Sequence, residues 1–149
     1  MTARLPADIP SALDAEAAVL GCLLLEGRSG MDLVANTALK PTDFYTGAHR
    51  AIFAAMWRLY RADRPVDVLT TGEALRASGD IDMAGGPAAL AVLIERGSIG
   101  AYLTSYVDIV INAAKRRELI QLGAALIQEA HDGEQAADQI IGGTAARLE

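Results

Sequence analysis

The chain has 149 residues, 52% of them hydrophobic, with 19 acidic against 13 basic side chains and a formal net charge of −6. That composition supplies the core of one ordinary domain and excludes a disordered tail, while the negative balance opposes binding to a polyphosphate backbone. Apolar runs of no more than seven residues fall far short of the roughly 18 a membrane span needs, and no basic-then-apolar signal peptide opens the chain, so a soluble, cytoplasmic protein with no membrane partner is expected.

In chain order, apolar residues recur at three- and four-residue steps and alternating strand-like runs are missing, which predicts an all-α fold. "SALDAEAAVLGCLLLEG" predicts a first helix with Ser11 as N-cap, Leu13, Ala17, Leu20 and Leu24 on the inward stripe, and Gly27 as stop. The single Cys22 lies inside it, where a small buried thiol is ordinary, and one cysteine excludes both a disulfide framework and a multi-cysteine metal site. A short helix is expected over Met31 to Leu39, then a single turn with Pro41 as breaker and Thr42 as cap. Thr46 is placed to cap the next helix, whose apolar face is Ile52, Phe53, Met56, Leu59 and Tyr60.

His49 precedes Ile52 and Phe53 by three and four residues, so it shares their inward side, whereas Arg50, Arg58 and Arg61 fall off that stripe. With no second histidine, cysteine or carboxylate at a ligand spacing, the expected role of His49 is a hydrogen bond that ties down a neighbouring loop. After Pro65, Thr70 followed by Glu73 suggests a capping box and Gly79 a stop. Gly85 and Gly86 form a turn before Pro87 at the first position of a helix that faces Leu90, Leu93 and Ile94 inward.

From Ser98 one helix is expected to run for about thirty residues, roughly 45 Å at 1.5 Å per residue, longer than a head of about 95 residues is wide. One seam of it reads Leu103, Tyr106, Val110, Ala113, Arg117, Ile120, Ala124 and Ile127; an adjacent one reads Tyr102, Ile109, Leu119 and Leu126. "HDGE" at His131 to Glu134 turns the chain into a returning helix with Ala137, Ile140, Ile141, Thr144 and Leu148 on its apolar face. The expected organisation is therefore a helical head over residues 1–97 and a protruding antiparallel helical hairpin over 98–149. The near half of the long helix needs cover from the head or from another subunit, which predicts self-association.

Catalytic signatures are missing. No glycine is followed by Lys-Ser or Lys-Thr, and neither a G-x-S-x-G elbow nor H-E-x-x-H occurs. The carboxylate pairs Asp80 with Asp82 and Asp14 with Glu16 lie at turns or helix starts, where capping explains them. No catalytic, cofactor-binding or metal-binding residue is expected in this chain.

"AEAAVLGCLLL" at Ala15 to Leu25, "DFYTGAHRAIFAAMWRLY" at Asp43 to Tyr60, "RPVDVLTTGEAL" at Arg64 to Leu75, "GGPAAL" at Gly85 to Leu90 and "YVDIV" at Tyr106 to Val110 occur in the order seen in the N-terminal domain of DnaB-type replicative helicases. The chain resembles that family from about Ile9 to its end. Asp43, Phe44, Tyr45, His49, Phe53, Pro65, Asp67, Thr70, Gly85 and Gly86 are the signature positions. The resemblance implies a collar of six such domains, a trimer of dimers, above a ring of ATPase motors at the replication fork, docking primase and responding to a helicase loader. ATP and magnesium would belong to that motor, which these residues do not include, and direct nucleic-acid binding by this part is not expected. Tyr102, Tyr106, Ile109, Val110, Ile140 and Ile141 are the candidate contacts for oligomer or partner, and Gly97 to Gly100 the candidate hinge.

Two departures from the family pattern stand out. Residues Gly97 to Tyr102 replace a Pro-Ser/Thr-x-x-Asn corner, and Ile111, Asn112 and Ala113 replace charged residues after Val110. A second reading is a standalone helical adaptor such as a primase's helicase-binding domain; the motif order favours the helicase side.

Overall fold

A computed structural model describes residues 11–97 and 102–149. Among the described residues there are seven α-helices, one 3-10 turn and no strand, as the periodicity predicts: α1 (Leu13–Glu26), α2 (Arg28–Ala35), the 3-10 turn Pro41–Asp43, α3 (Gly47–Arg61), α4 (Val68–Ser78), α5 (Pro87–Arg96), α6 (Leu103–Asp132) and α7 (Ala137–Leu148). No helix among them is long and apolar enough to cross a membrane. Two compact units, Met1–Ala114 and Lys115–Glu149, divide the chain inside α6.

The first unit has one core. Val19, Leu20, Cys22 and Leu23 of α1, Met31 and Val34 of α2, Phe44, and Ile52, Phe53, Ala55 and Met56 of α3 have almost no exposed surface. Leu75 and Leu90 close it from α4 and α5, and Leu103, Val107 and Val110 bring the start of α6 into it. Helix α1 is buried nearly all round, so no single stripe describes it, and Leu13 at its start is exposed although its spacing predicts an inward position. Burial and the neighbouring Glu26 carboxylate push the Cys22 thiol up from its ordinary pKa.

Helix ends follow local chemistry where it is strong. Gly27 (φ 60°) stops α1, Gly79 (φ 79°) stops α4 in the left-handed conformation, Thr46 Oγ1 accepts the His49 N–H (3.1 Å) to cap α3, and Pro87 opens α5. Several expected caps are corrected. Ser11 does not cap α1, whose N-cap is Ala12 with no side-chain bond. Helix α2 lies at Arg28–Ala35 rather than Met31 to Leu39, because Gly27 ends one helix and serves as N-cap of the next. Thr42 does not cap the 3-10 turn; Asp43 closes it by accepting the Lys40 N–H (3.0 Å).

The α4 box is likewise not Thr70 with Glu73. Asp67 Oδ1 accepts the Thr70 N–H (2.8 Å), and Thr70 Oγ1 accepts the Asp67 N–H (3.0 Å). Glu73 instead pairs with Arg76 at the surface (2.7 Å).

The second unit is sparse. Its part of α6 and α7 run antiparallel, joined by an Arg147–Glu129 ion pair (3.0 Å) and by Ile140, which is the one buried residue between Lys115 and Glu149. Within α7 the Thr144 hydroxyl donates to the Ile140 carbonyl (2.8 Å).

Candidate interaction surface

The block "DFYTGAHR" builds a pinned corner rather than a reactive site. Glu16 on α1 is completely buried, and both its carboxylate oxygens lie within hydrogen-bond distance of the Tyr45 N–H (3.1 and 3.0 Å). Its Oε1 also lies within hydrogen-bond distance of His49 Nδ1 (2.9 Å). Arg50 Nη1 donates to the Phe44 and Tyr45 carbonyls (3.2 and 3.1 Å), and the nearly buried Asp43 carboxylate accepts from Lys40 Nζ (2.7 Å). The two buried carboxylates at this turn, Glu16 and Asp43, thus each meet a polar partner, which burial against an apolar core requires.

Below it Phe44 packs on Phe53 (5.0 Å between ring centres), Phe53 on Trp57 (6.1 Å) and Trp57 on Tyr60 (5.7 Å). Tyr60 donates to Asp32 (2.7 Å), and this bond, then burial, push its hydroxyl pKa up. The His49 ring bonds Glu16 on α1 rather than a loop, and it is the Glu16 carboxylate that takes the loop's Tyr45 N–H. Glu16, expected to be a helix-start capping carboxylate, is the residue missed; an acid three positions into an otherwise apolar helix was the available signal.

Four of the remaining signature residues, Asp67, Thr70, Gly85 and Gly86, lie at helix starts. Val66, between Pro65 and Asp67, is buried, Asp67 and Thr70 start α4, and Gly85 and Gly86 (φ 98° and 81°) make the turn into α5 in a conformation side chains rarely adopt. Among the described residues no group of three or more His, Cys, Asp or Glu side chains is placed to hold a metal ion.

Part of what the first unit leaves uncovered is apolar. Tyr102 (61% exposed), which immediately precedes α6, and Ile109 (49%) are uncovered together with the half-buried Tyr106, whose ring is 6.4 Å from that of Tyr102. Tyr106 and Ile109 line a groove of about 700 Å³ with Leu13, Ala15 and Ala18 of α1. Val110, one step along the helix, has no exposed surface and belongs to the core. In the second unit Ile140 is buried while Ile141 is 66% exposed, and Leu119, Ile127 and Leu148 are exposed as well. Of the candidate contacts, the structure therefore leaves Tyr102, Tyr106, Ile109 and Ile141 at the surface. Gly97 of the candidate hinge is described; residues 98–100 lie outside the described residues.

A helical head in which most of the motif residues lie in the core or at helix starts, and in which no metal-ligand cluster is found among the described residues, defines a class of all-α domain. The model of the DnaB-like helicase N terminal domain matches residues 8–112, and the chain belongs to that family. The replicative DNA helicase DnaB of Haemophilus influenzae is 37% identical over 122 residues, 82% of this chain but 26% of that protein. The DnaB of Geobacillus stearothermophilus is 32% identical over 132 residues, covering 89% of this chain and 29% of that protein. The crystal structure of the N-terminal domain of DnaB helicase from Mycobacterium tuberculosis superposes with a TM-score of 0.87 at 30% identity, covering 95% of this chain and 99% of that one. A DnaB-like replicative helicase, described with its interactions with primase, shares the fold at a TM-score of 0.77 and 23% identity, over 93% of this chain and 32% of that one. The chain thus spans little more than a quarter of the two relatives from Haemophilus and Geobacillus.

Proposed function

We propose that this chain is a non-catalytic assembly and docking domain of a replicative DNA helicase. It associates with further copies of itself, from dimer to hexamer, and offers helical surface to primase and a helicase loader during replication in a bacterial or phage-infected cytoplasm. The observation that carries the reading is the uncovered apolar set Tyr102, Ile109, Leu119, Ile127 and Ile141 on α6 and α7 of a domain belonging to this family. Each large side chain of this kind gains about 1.5 to 3 kcal/mol on burial, enough in combination to drive association. The primase part rests on the related helicase described with its interactions with primase. ATP and magnesium are needed only by the motor that the family resemblance implies.

Mixed-chain crosslinking tests the assembly reading. Cysteines placed at Ile109 or Ile141 in a Cys22→Ser background are expected to yield dimers between tagged and untagged chains. Products formed only within one chain would assign these residues to internal packing. A pull-down with a primase C-terminal domain tests docking: retention by the wild-type chain and loss on Ile141→Glu or Ile109→Glu is the expected result.

A further inference from the structure

Helix α5 ends against α1 through two glycines. A methyl group at Gly21 would meet the Leu93 carbonyl oxygen and lie 2.7 Å from Gly97 Cα; one at Gly97 would lie 2.6 Å from the Gly21 carbonyl carbon and 2.9 Å from the Cys22 nitrogen. Neither position needs glycine for its backbone. Gly21 is inside a regular helix, and Gly97 has φ −66° and ψ 130°, which any residue adopts. Glycine is required there by the backbone-to-backbone approach alone. The Gly97 N–H donates to the same Leu93 carbonyl (2.9 Å) that faces Gly21, so the end of α5 is held from both sides.

Six residues later Leu103 is seated in the core, with its Cδ2 3.7 Å from the place a methyl on Gly30 of α2 would occupy. Gly97 and Leu103 are thus both packed onto the α1–α2 pair. Tyr102 is the residue next to Leu103, and Tyr106 and Ile109 follow on the same helix.

We infer that the Gly21·Gly97 crossing is a positioning contact for self-association: it anchors the entry into α6 and so sets where Tyr102, Tyr106 and Ile109 present their apolar surface. On this account the entry into α6 is held in place rather than hinged at Gly97. The inference rests on the self-association reading for its function, but the anchoring has its own readout.

The test compares Gly97→Ala with Gly72→Ala in the full chain. Gly72 is a buried glycine inside α4 of the same unit, where a methyl meets only ordinary contacts at 3.7 Å. At a temperature where Trp57 emission and far-ultraviolet dichroism match the wild type, Gly97→Ala is expected to weaken self-association by about tenfold or more, and Gly72→Ala to leave it unchanged. A folded Gly97→Ala chain that associates like wild type overturns the inference.

Native-state hydrogen exchange on the wild-type chain decides the anchoring if Gly97→Ala does not fold or if wild type is monomeric. The Gly97 amide and those of Val107 and Val110 are expected to open together with one free energy. Opening of Gly97 far more readily than the α6 amides overturns the anchor. A monomeric wild type with joint opening removes the self-association reading and the functional half of the inference, while leaving the anchor in place.

Discussion

The two units of this chain handle their apolar residues in opposite ways. In Met1–Ala114 five helices and the first turns of a sixth enclose one continuous core, with Phe44, Phe53, Leu20 and Leu23 fully buried. Between Lys115 and Glu149 only Ile140 is buried, while Leu119, Ile127, Ile141 and Leu148 are exposed. A segment of about 35 residues is below the size at which a domain is stable without a metal, a disulfide or an oligomeric partner. The contrast teaches that the first unit encloses a core of its own, whereas the second, taken by itself, leaves most of its large apolar side chains exposed.

Large-to-small substitutions break the comparison most directly. Phe53→Ala is expected to lower stability by about 3 to 5 kcal/mol in urea denaturation. Labelling of Cys22 gives a second measure. The buried thiol, its pKa pushed up, reacts only through unfolding, so labelling should accelerate in Phe53→Ala by the factor that the lost stability implies. Next in size is the pinned corner: Glu16→Ala, which removes the acceptor of the Tyr45 N–H and of His49, should cost about 2 to 4 kcal/mol, and His49→Ala about 1 to 3. Loss of a specific activity with stability intact would assign His49 to chemistry instead.

A smaller effect of opposite sign is expected at Thr71, a fully buried residue of α4 whose hydroxyl has no hydrogen-bond partner among the described residues. Thr71→Val should raise stability by about 1 kcal/mol, read from the denaturation midpoint at unchanged slope. The smallest change in folding stability is expected for Ile141→Ala, within about 0.5 kcal/mol at a concentration where the chain is monomeric. The same variant should weaken association, and that separation of effects sharpens the difference between the units.

Much of this architecture was legible because its causes are local. Thr46, Gly27, Gly79 and Pro87 act within four residues of where they stand, and the three- and four-residue apolar steps mark α3 and α6, although α6 begins at Leu103 rather than at the expected Ser98. Caps with two plausible partners went astray: Thr70 fits a box with Glu73 by spacing, but Asp67 offers a stronger acceptor at the same distance on the other side. The Glu16 clamp was hidden because its partners are 29 and 33 residues away. The Gly21·Gly97 crossing has no sequence signal at all, since only the packing of α1 on α5 brings the two together.

On the interaction surface, neighbours in sequence part company. Ile109 and Val110, or Ile140 and Ile141, differ by one helical step of about 100°, and only packing decides which of each pair is covered. Tyr102, Tyr106, Ile109 and Ile141 could be named as apolar residues on α6 and α7, but their exposure could not be read from spacing.

The measurement that bears most directly on the account is the mass of the 149-residue chain by light-scattering chromatography across a concentration series. Dimers, trimers of dimers or hexamers that dissociate on dilution, and form less readily in Ile109→Glu and Ile141→Glu, are the predicted result. A strict monomer at every concentration would contradict the central claim that the apolar surface of α6 and α7 is covered by further copies of the chain.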